Sequence, residues 1–259
     1  MTHPRASRAA AAALMLLATA PFGPAQARDI RVCTVSWAPF YGPDLPRKGF
    51  ITAITRAAFE AVGHDPRFEF MPWARAMLEV EQGDRDMLMG LYRTAERAET
   101  YVYTERIHPT TNVVIAREEL GLARFDSLRD LEGYSIGFGR GWSFGEAFDN
   151  AGFLDKRPTN DQRLSLRKLF AGRLDMVVSS FGRFRYLAKQ EGFDLDRTVV
   201  LEPPLTKDFL YNAFSPKLEN ADALVADFNR GLEAIRADGT FDRILEEMGY
   251  ARDGRAAGD

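Results

Sequence analysis

The chain has 259 residues, 46% of them apolar, and its 34 lysines and arginines nearly balance 37 acids, for a net charge of −3. That balance leaves no electrostatic footprint for nucleic acid, and one cysteine excludes an internal disulfide. His64 and His108 stand alone in the sequence and match no metal-ligand spacing, so no metal and no other cofactor is expected.

The chain opens with "MTHPRASR", which is basic and holds no acid, followed by "AAAAALMLLATA" and "PAQA". The apolar stretch is about a dozen residues long, too short to cross a bilayer comfortably, and the small-x-small ending is what a signal peptidase reads. Residues 1–27 are therefore expected to be a signal peptide cut after Ala27, which implies a soluble periplasmic protein of 232 residues. The segment carries Arg5 and Arg8, so its loss takes the net charge to −5.

Strand and helix patterns then alternate. "IRVCTV" reads as a buried strand, and "FITAITRAAFEAVG" as a helix with Phe50, Ile54, Ala58 and Ala61 on one face. "RFEFM" alternates like a strand, "WARAMLEVEQG" is helical, and "DMLMG" is a short strand. A second unit follows, with "YSIGF" as strand, "GRGWS" as loop and Ser143 as cap of the helix "FGEAFDNAG". Next come the helix "DQRLSLRKLFAG", the strand "LDMVVSS", the helix "FGRFRYLAKQEG" and the strand "TVVLEPP". Two helical segments close the pattern, and the tail 251–259 has too little apolar content to fold.

The alternation is that of an α/β protein with two units. The joints fall near "TNVVIARE" (111–118) and "PLTKDFLYNAF" (204–214). If the chain crosses at both, the last helices return to the first unit, and two strands link the units. The expected division is 28–113 with 208–250 as lobe one and 114–207 as an inserted lobe two.

Four pieces in order, "GFITAITRAAFEAVG", "VEQGDRDMLMGLYRTAERAETYVYTERI", "LRDLEGYSIGFGRG" and "IRADGTFDRILEEMGY", resemble the extracellular solute-binding proteins of family 3, the amino-acid-type receptors of ABC importers. "MPWARAMLEVEQGD" looks like a branch of that family with a P-W-x-R-A motif. The resemblance implies a type II periplasmic-binding-protein fold, two lobes joined by two hinge strands, with a small-molecule ligand held between them. It also implies a transient membrane ABC permease as partner; a monomer is the default, and no enzyme activity is expected because no Ser-His-Asp or Cys-His arrangement can be argued.

Ligands of open α/β sheets sit beyond the carboxyl ends of the strands. After the first strand, "SWAPFYG" supplies Trp37, Phe40 and Tyr41, which either wall an apolar pocket or cap the core. After the next strand, Trp73 starts a helix, and Arg75 either meets ligand or pairs with Glu79 four residues on. After "DMLMG", Arg97 matches the family's carboxylate-binding arginine and Thr94 its threonine at the helix start. Tyr92 and Arg93 stand where the family's amino-acid receptors usually have small polar residues. In lobe two, the glycine-rich loop holds Arg140, Trp142 and Ser143, and Ser179 and Ser180 follow "LDMVV". Amino-acid receptors of the family usually place an aspartate near those serines for the ligand's α-ammonium; Asp175 lies at the other end of the strand. Either the ligand lacks an ammonium, or another acid such as Glu146 or Asp208 serves. The ligand expected is a small organic anion, an amino acid or related carboxylate. Two alternatives are a receptor that presents ligand to a membrane sensor, and a dehydratase-like enzyme using Glu146.

Overall fold

A computed structural model describes residues 28–250; the expected signal peptide and the tail 251–259 lie outside them. In chain order the strands and α-helices are β1 (Asp29–Thr34), α1 (Phe50–Glu60), β2 (Asp65–Phe70), α2 (Trp73–Gln82), β3 (Met87–Leu91), α3 (Ala95–Thr100), β4 (Val102–Tyr103), β5 (His108–Arg117), β6 (Ser135–Gly139), α4 (Glu146–Asp149), β7 (Asp155–Thr159), α5 (Gln162–Phe170), β8 (Met176–Ser180), α6 (Phe181–Glu191), β9 (Thr198–Val200), β10 (Thr206–Phe214), α7 (Ala221–Ala237) and α8 (Thr240–Glu247).

The strands form one curled sheet in the order β2-β1-β3-β10-β5-β8-β6-β7, with β4 on β10 and β9 on β5. β1 runs parallel to both β2 and β3, and β6 parallel to both β7 and β8. Such parallel sets need helical crossovers that cover the sheet faces. Between the two sets run the long strands β5 and β10. Thr206–Leu210 of β10 pair with β5, and Tyr211–Phe214 pair with β3 across an irregularity at Tyr211/Asn212. The second half of β5 pairs with β8. Each long strand thus belongs to one parallel set at one end and leaves it at the other, the geometry of a two-strand hinge.

The buried apolar residues separate accordingly. Residues of β1, β3, α1, α7 and α8 form one core, which includes Ile30, Ile54, Met87, Phe214, Phe228 and Ile244. Val114, Ile136, Met176 and Leu166 belong to cores on the other side of the hinge. Trp142 packs against both. The helices of the first side meet closely because Gly231 lies against the α1 backbone: a Cβ there would approach the Ala58 carbonyl oxygen to 1.8 Å. At the start of this side, the buried Asp86 accepts from the Arg31 backbone N–H (2.8 Å) and guanidinium (2.7 Å). Burial alone would raise its carboxyl pKa, but these bonds outweigh burial and hold it low.

Two local expectations are corrected, and one strand lies where the sequence pattern gives none. Ser143 does not cap α4, whose N-cap is Gly145; its hydroxyl donates instead to Asp149 Oδ2 at 2.6 Å. The strand expected over 198–204 is only Thr198–Val200. The charged "DKRPT" forms β7, an edge strand whose proline and exposed charges suit a sheet edge.

Candidate functional site

The carboxyl ends of β1 and β3 open onto a small chamber. Trp37, Tyr41, Trp73, Tyr92 and Arg97 line it from the first lobe, Trp142 and Ser143 from the second, and Leu210 from the hinge. Trp37 is held by a tight turn in which its N–H donates to the Tyr41 carbonyl at 2.7 Å, and its ring stacks on Phe40 at 4.5 Å. The Tyr41 hydroxyl donates to the Gly90 carbonyl at 2.6 Å. Gly90 has φ +75°, and a Cβ there would lie 2.5 Å from the Tyr41 ring, so both backbone and space demand glycine. Asn212 of β10 accepts from the Gly90 N–H at 3.2 Å, which ties this turn to the hinge. The Tyr92 hydroxyl accepts from Thr110 (3.0 Å) and donates to Asn112 (3.3 Å), both on β5.

Across the cleft, the Trp142 ring meets Trp37 edge-on at 5.8 Å and an interplanar angle of 85°. The chamber is therefore walled by rings from both lobes, a favourable arrangement for a planar or apolar group.

Arg97 sits in the first turn of α3, where its backbone N–H donates to the Thr94 hydroxyl at 3.2 Å. Its guanidinium lies 5.7 Å from the Trp73 ring centre. It donates to the Tyr92 carbonyl at 3.4 Å and, across the cleft, to the Gly141 carbonyl at 3.3 Å. Both bonds are long, and among the described residues Arg97 forms no ion pair with a carboxylate.

A second, polar chamber adjoins the first and shares Arg97, Trp142 and Ser143 with it. Its further walls include Arg93, Thr94, Glu146, Asp149, Lys156 and Asp208. Burial raises the Asp208 pKa above the ordinary value, although the Phe209 N–H and the charge of Arg97 oppose the shift. Burial likewise raises the Tyr41 and Tyr92 hydroxyls far above the ordinary tyrosine range, with both Arg97 and Arg183 opposing it at Tyr41.

Arg183 of α6 carries no signal in the sequence that separates it from Arg185 two residues on. It is 8% exposed. Its Nε donates to Gln162 Oε1 at 2.6 Å, and its Nη1 reaches across the cleft to the Ala38 carbonyl at 2.9 Å. The guanidinium lies 5.5 Å from the Trp142 ring centre. Burial lowers its pKa to about 10, so it stays charged at neutral pH.

Several expected positions are corrected. Arg75 points to solvent, where its Nε donates to Glu79 at 2.6 Å; the local i,i+4 partner wins over the cleft. Arg140 is exposed and donates to Asn160 at 3.0 Å, away from both chambers. Ser179 is fully buried within the sheet, and Ser180 lines a separate groove with Thr110 and Phe181. Phe40 caps the core beneath Trp37. Arg93 and Thr94 face the polar chamber alone.

Residues 30–249 match the bacterial extracellular solute-binding proteins, family 3. A histidine kinase sensor domain with similarity to periplasmic binding proteins is 22% identical, with a TM-score of 0.75 over 86% of this chain and 96% of that one. An ABC uptake transporter substrate-binding protein from Streptococcus pneumoniae with bound histidine is 18% identical, with a TM-score of 0.74 over 87% and 94%. An ancestral amino-acid-binding protein described as a precursor of cyclohexadienyl dehydratase is 19% identical, with a TM-score of 0.68 over 85% and 94%. No curated protein sequence matches the chain. Among the described residues, no helix is long and apolar enough to cross a membrane, and no group of three or more His, Cys, Asp or Glu could hold a metal ion.

Proposed function

We propose, since the chain belongs to the bacterial extracellular solute-binding proteins of family 3, that it is a receptor that captures a small organic anion between its lobes. In this reading it works in the periplasm, as a monomer after loss of residues 1–27, and delivers the ligand to an ABC importer in the membrane. The lobes are 28–113 with 208–250, and 114–207, turning on β5 and β10.

One observation carries the reading. Among the described residues, the Arg97 guanidinium, half-buried in an aromatic chamber, has two long bonds to carbonyls and no ion pair with an acid. A carboxylate fits that fork with two short, charge-assisted bonds. Its second long bond already bridges to lobe two, so a ligand held there draws the lobes together. Trp37 and Trp142, which meet edge-on across the cleft, supply an aromatic wall from each lobe. Glu146, the acid named for a dehydratase-like alternative, is exposed and lines the polar chamber, not the aromatic one.

The test is small-angle scattering. Ligand is released from purified protein by denaturation, identified by mass spectrometry and added back to stripped protein. The radius of gyration is expected to fall as the lobes close; an unchanged radius at saturation contradicts the reading.

A further inference from the structure

We infer that the cleft takes an aromatic or otherwise planar carboxylate that carries no amino cation, and that Arg183 enforces this choice. The inference deepens the receptor reading and rests on it.

The first argument is an inventory of hydrogen-bonding groups. Among the described residues, the buried indole N–H groups of Trp37 and Trp73 have no acceptor. Arg97 adds an unmatched fork beside them. A buried donor left without an acceptor is costly, and a ligand oxygen that reaches either indole N–H as the lobes close would relieve that cost. The hydroxyls on its walls are already engaged: Tyr41 with Gly90, Tyr92 with Thr110 and Asn112, and Ser143 with Asp149. No carboxylate lines this chamber. It offers donors to a ligand and no anion.

The second argument is charge. Arg183 lies behind the Trp142 ring and, among the described residues, forms no ion pair with an acid. Arg97 lines the chamber itself, over the Trp73 ring at 5.7 Å. Two guanidinium groups, neither in an ion pair among the described residues, therefore lie beside the aromatic walls; the nearest acid charges, Asp161 for Arg183 and Asp208 for Arg97, stand outside this chamber. A ligand ammonium there loses its hydration, meets no carboxylate and is repelled by both cations. A carboxylate gains from both. The rings favour a flat body behind it.

Asp208 is the acid that an ammonium would have to reach. It lies in the polar chamber, on the far side of Arg97. Matched ligand pairs that differ only in the α-amino group separate the two possibilities. Calorimetric titration of the whole protein compares 3-phenylpropanoate with L-phenylalanine, and indole-3-propanoate with L-tryptophan. In at least one pair the desamino acid is expected to bind at least about tenfold more tightly. Arg183→Gln is expected to narrow that ratio and Arg183→Lys to preserve it; a ratio is insensitive to a general loss of stability. An amino acid that binds as tightly as its desamino partner overturns the charge selection and leaves the anion receptor standing. Binding by no member of either pair overturns the planar-carboxylate class, while the scattering experiment with recovered ligand reads the receptor function separately. An unchanged ratio in Arg183→Gln overturns the role given to Arg183.

Discussion

The two chambers that meet at Arg97 share a wall and differ in almost everything else. One is lined by five aromatic rings and no acid; the other holds Glu146, Asp149 and Asp208 beside Arg93 and Lys156. In the first, a charge that enters must find Arg97, because nothing else there can balance it. In the second, two of the charges already have partners: Asp149 accepts from Ser143 and from the Phe144 N–H, and Lys156 donates to the Asp149 carbonyl. The contrast teaches where binding energy resides. Desolvated, unmatched groups in the aromatic chamber gain from a ligand, whereas solvated and satisfied ones in the polar chamber gain little.

Substitutions on either side sharpen this contrast. Apart from Arg97 itself, the largest effect is expected for Trp142→Ala, which removes the lobe-two wall of the aromatic chamber. As a central aromatic contact it is expected to cost about 2 kcal/mol or more, roughly 30-fold in affinity for the recovered ligand, read by calorimetry. A loss below threefold would mean that the chamber is not the binding surface.

Asp208→Asn is expected to act in the opposite direction. Removing a negative charge near Arg97 should tighten anion binding by roughly two- to tenfold. The same variant has a pH signature. The folded state raises the Asp208 pKa, chiefly through burial. Its protonated form is thus favoured on folding, and that contribution is lost as pH rises through the folded pKa. Melting temperatures of wild type and Asp208→Asn should agree near about pH 3, below the ordinary aspartate pKa. They should diverge as pH rises, with the variant the more stable. Convergence at high pH would contradict the burial argument.

The smallest effect is expected for Arg75→Ala. Its guanidinium is exposed and paired with Glu79. Affinity should stay within about twofold of wild type, and the melting temperature should be essentially unchanged. A tenfold loss would return Arg75 to the cleft.

How much of this was legible in the sequence depended on whether the cause was local. The α/β alternation shows in the periodicity of "FITAITRAAFEAVG" and the apolar runs beside it, because those elements bury one face. Trp37, Tyr41, Tyr92 and Trp142 follow directly on strands, and strand ends converge in this fold, so sequence order and spatial position agree there. Arg183 was not legible. Its burial depends on the Ala38 carbonyl, 145 residues away in the chain and in the other lobe. Arg75 misled because its local partner and a cleft position were equally open on paper, and only the orientation of α2 decides between them. β7 was missed because its exposed edge has no apolar alternation to read. The serines at 179 and 180 were assigned by analogy with strand ends, but the sheet buries one and turns the other to a different groove.

The central claim is that Arg97 holds a ligand carboxylate inside the closed cleft. Calorimetric titration of Arg97→Ala with the ligand recovered from wild type tests it most directly, with circular dichroism to establish that the variant is folded. Truncating one partner of a desolvated charge pair is expected to cost about 2–5 kcal/mol, roughly 30- to several-thousand-fold in affinity. Arg97→Lys should remain weak, since an ammonium cannot make the forked contact. Wild-type affinity in folded Arg97→Ala protein would contradict the account.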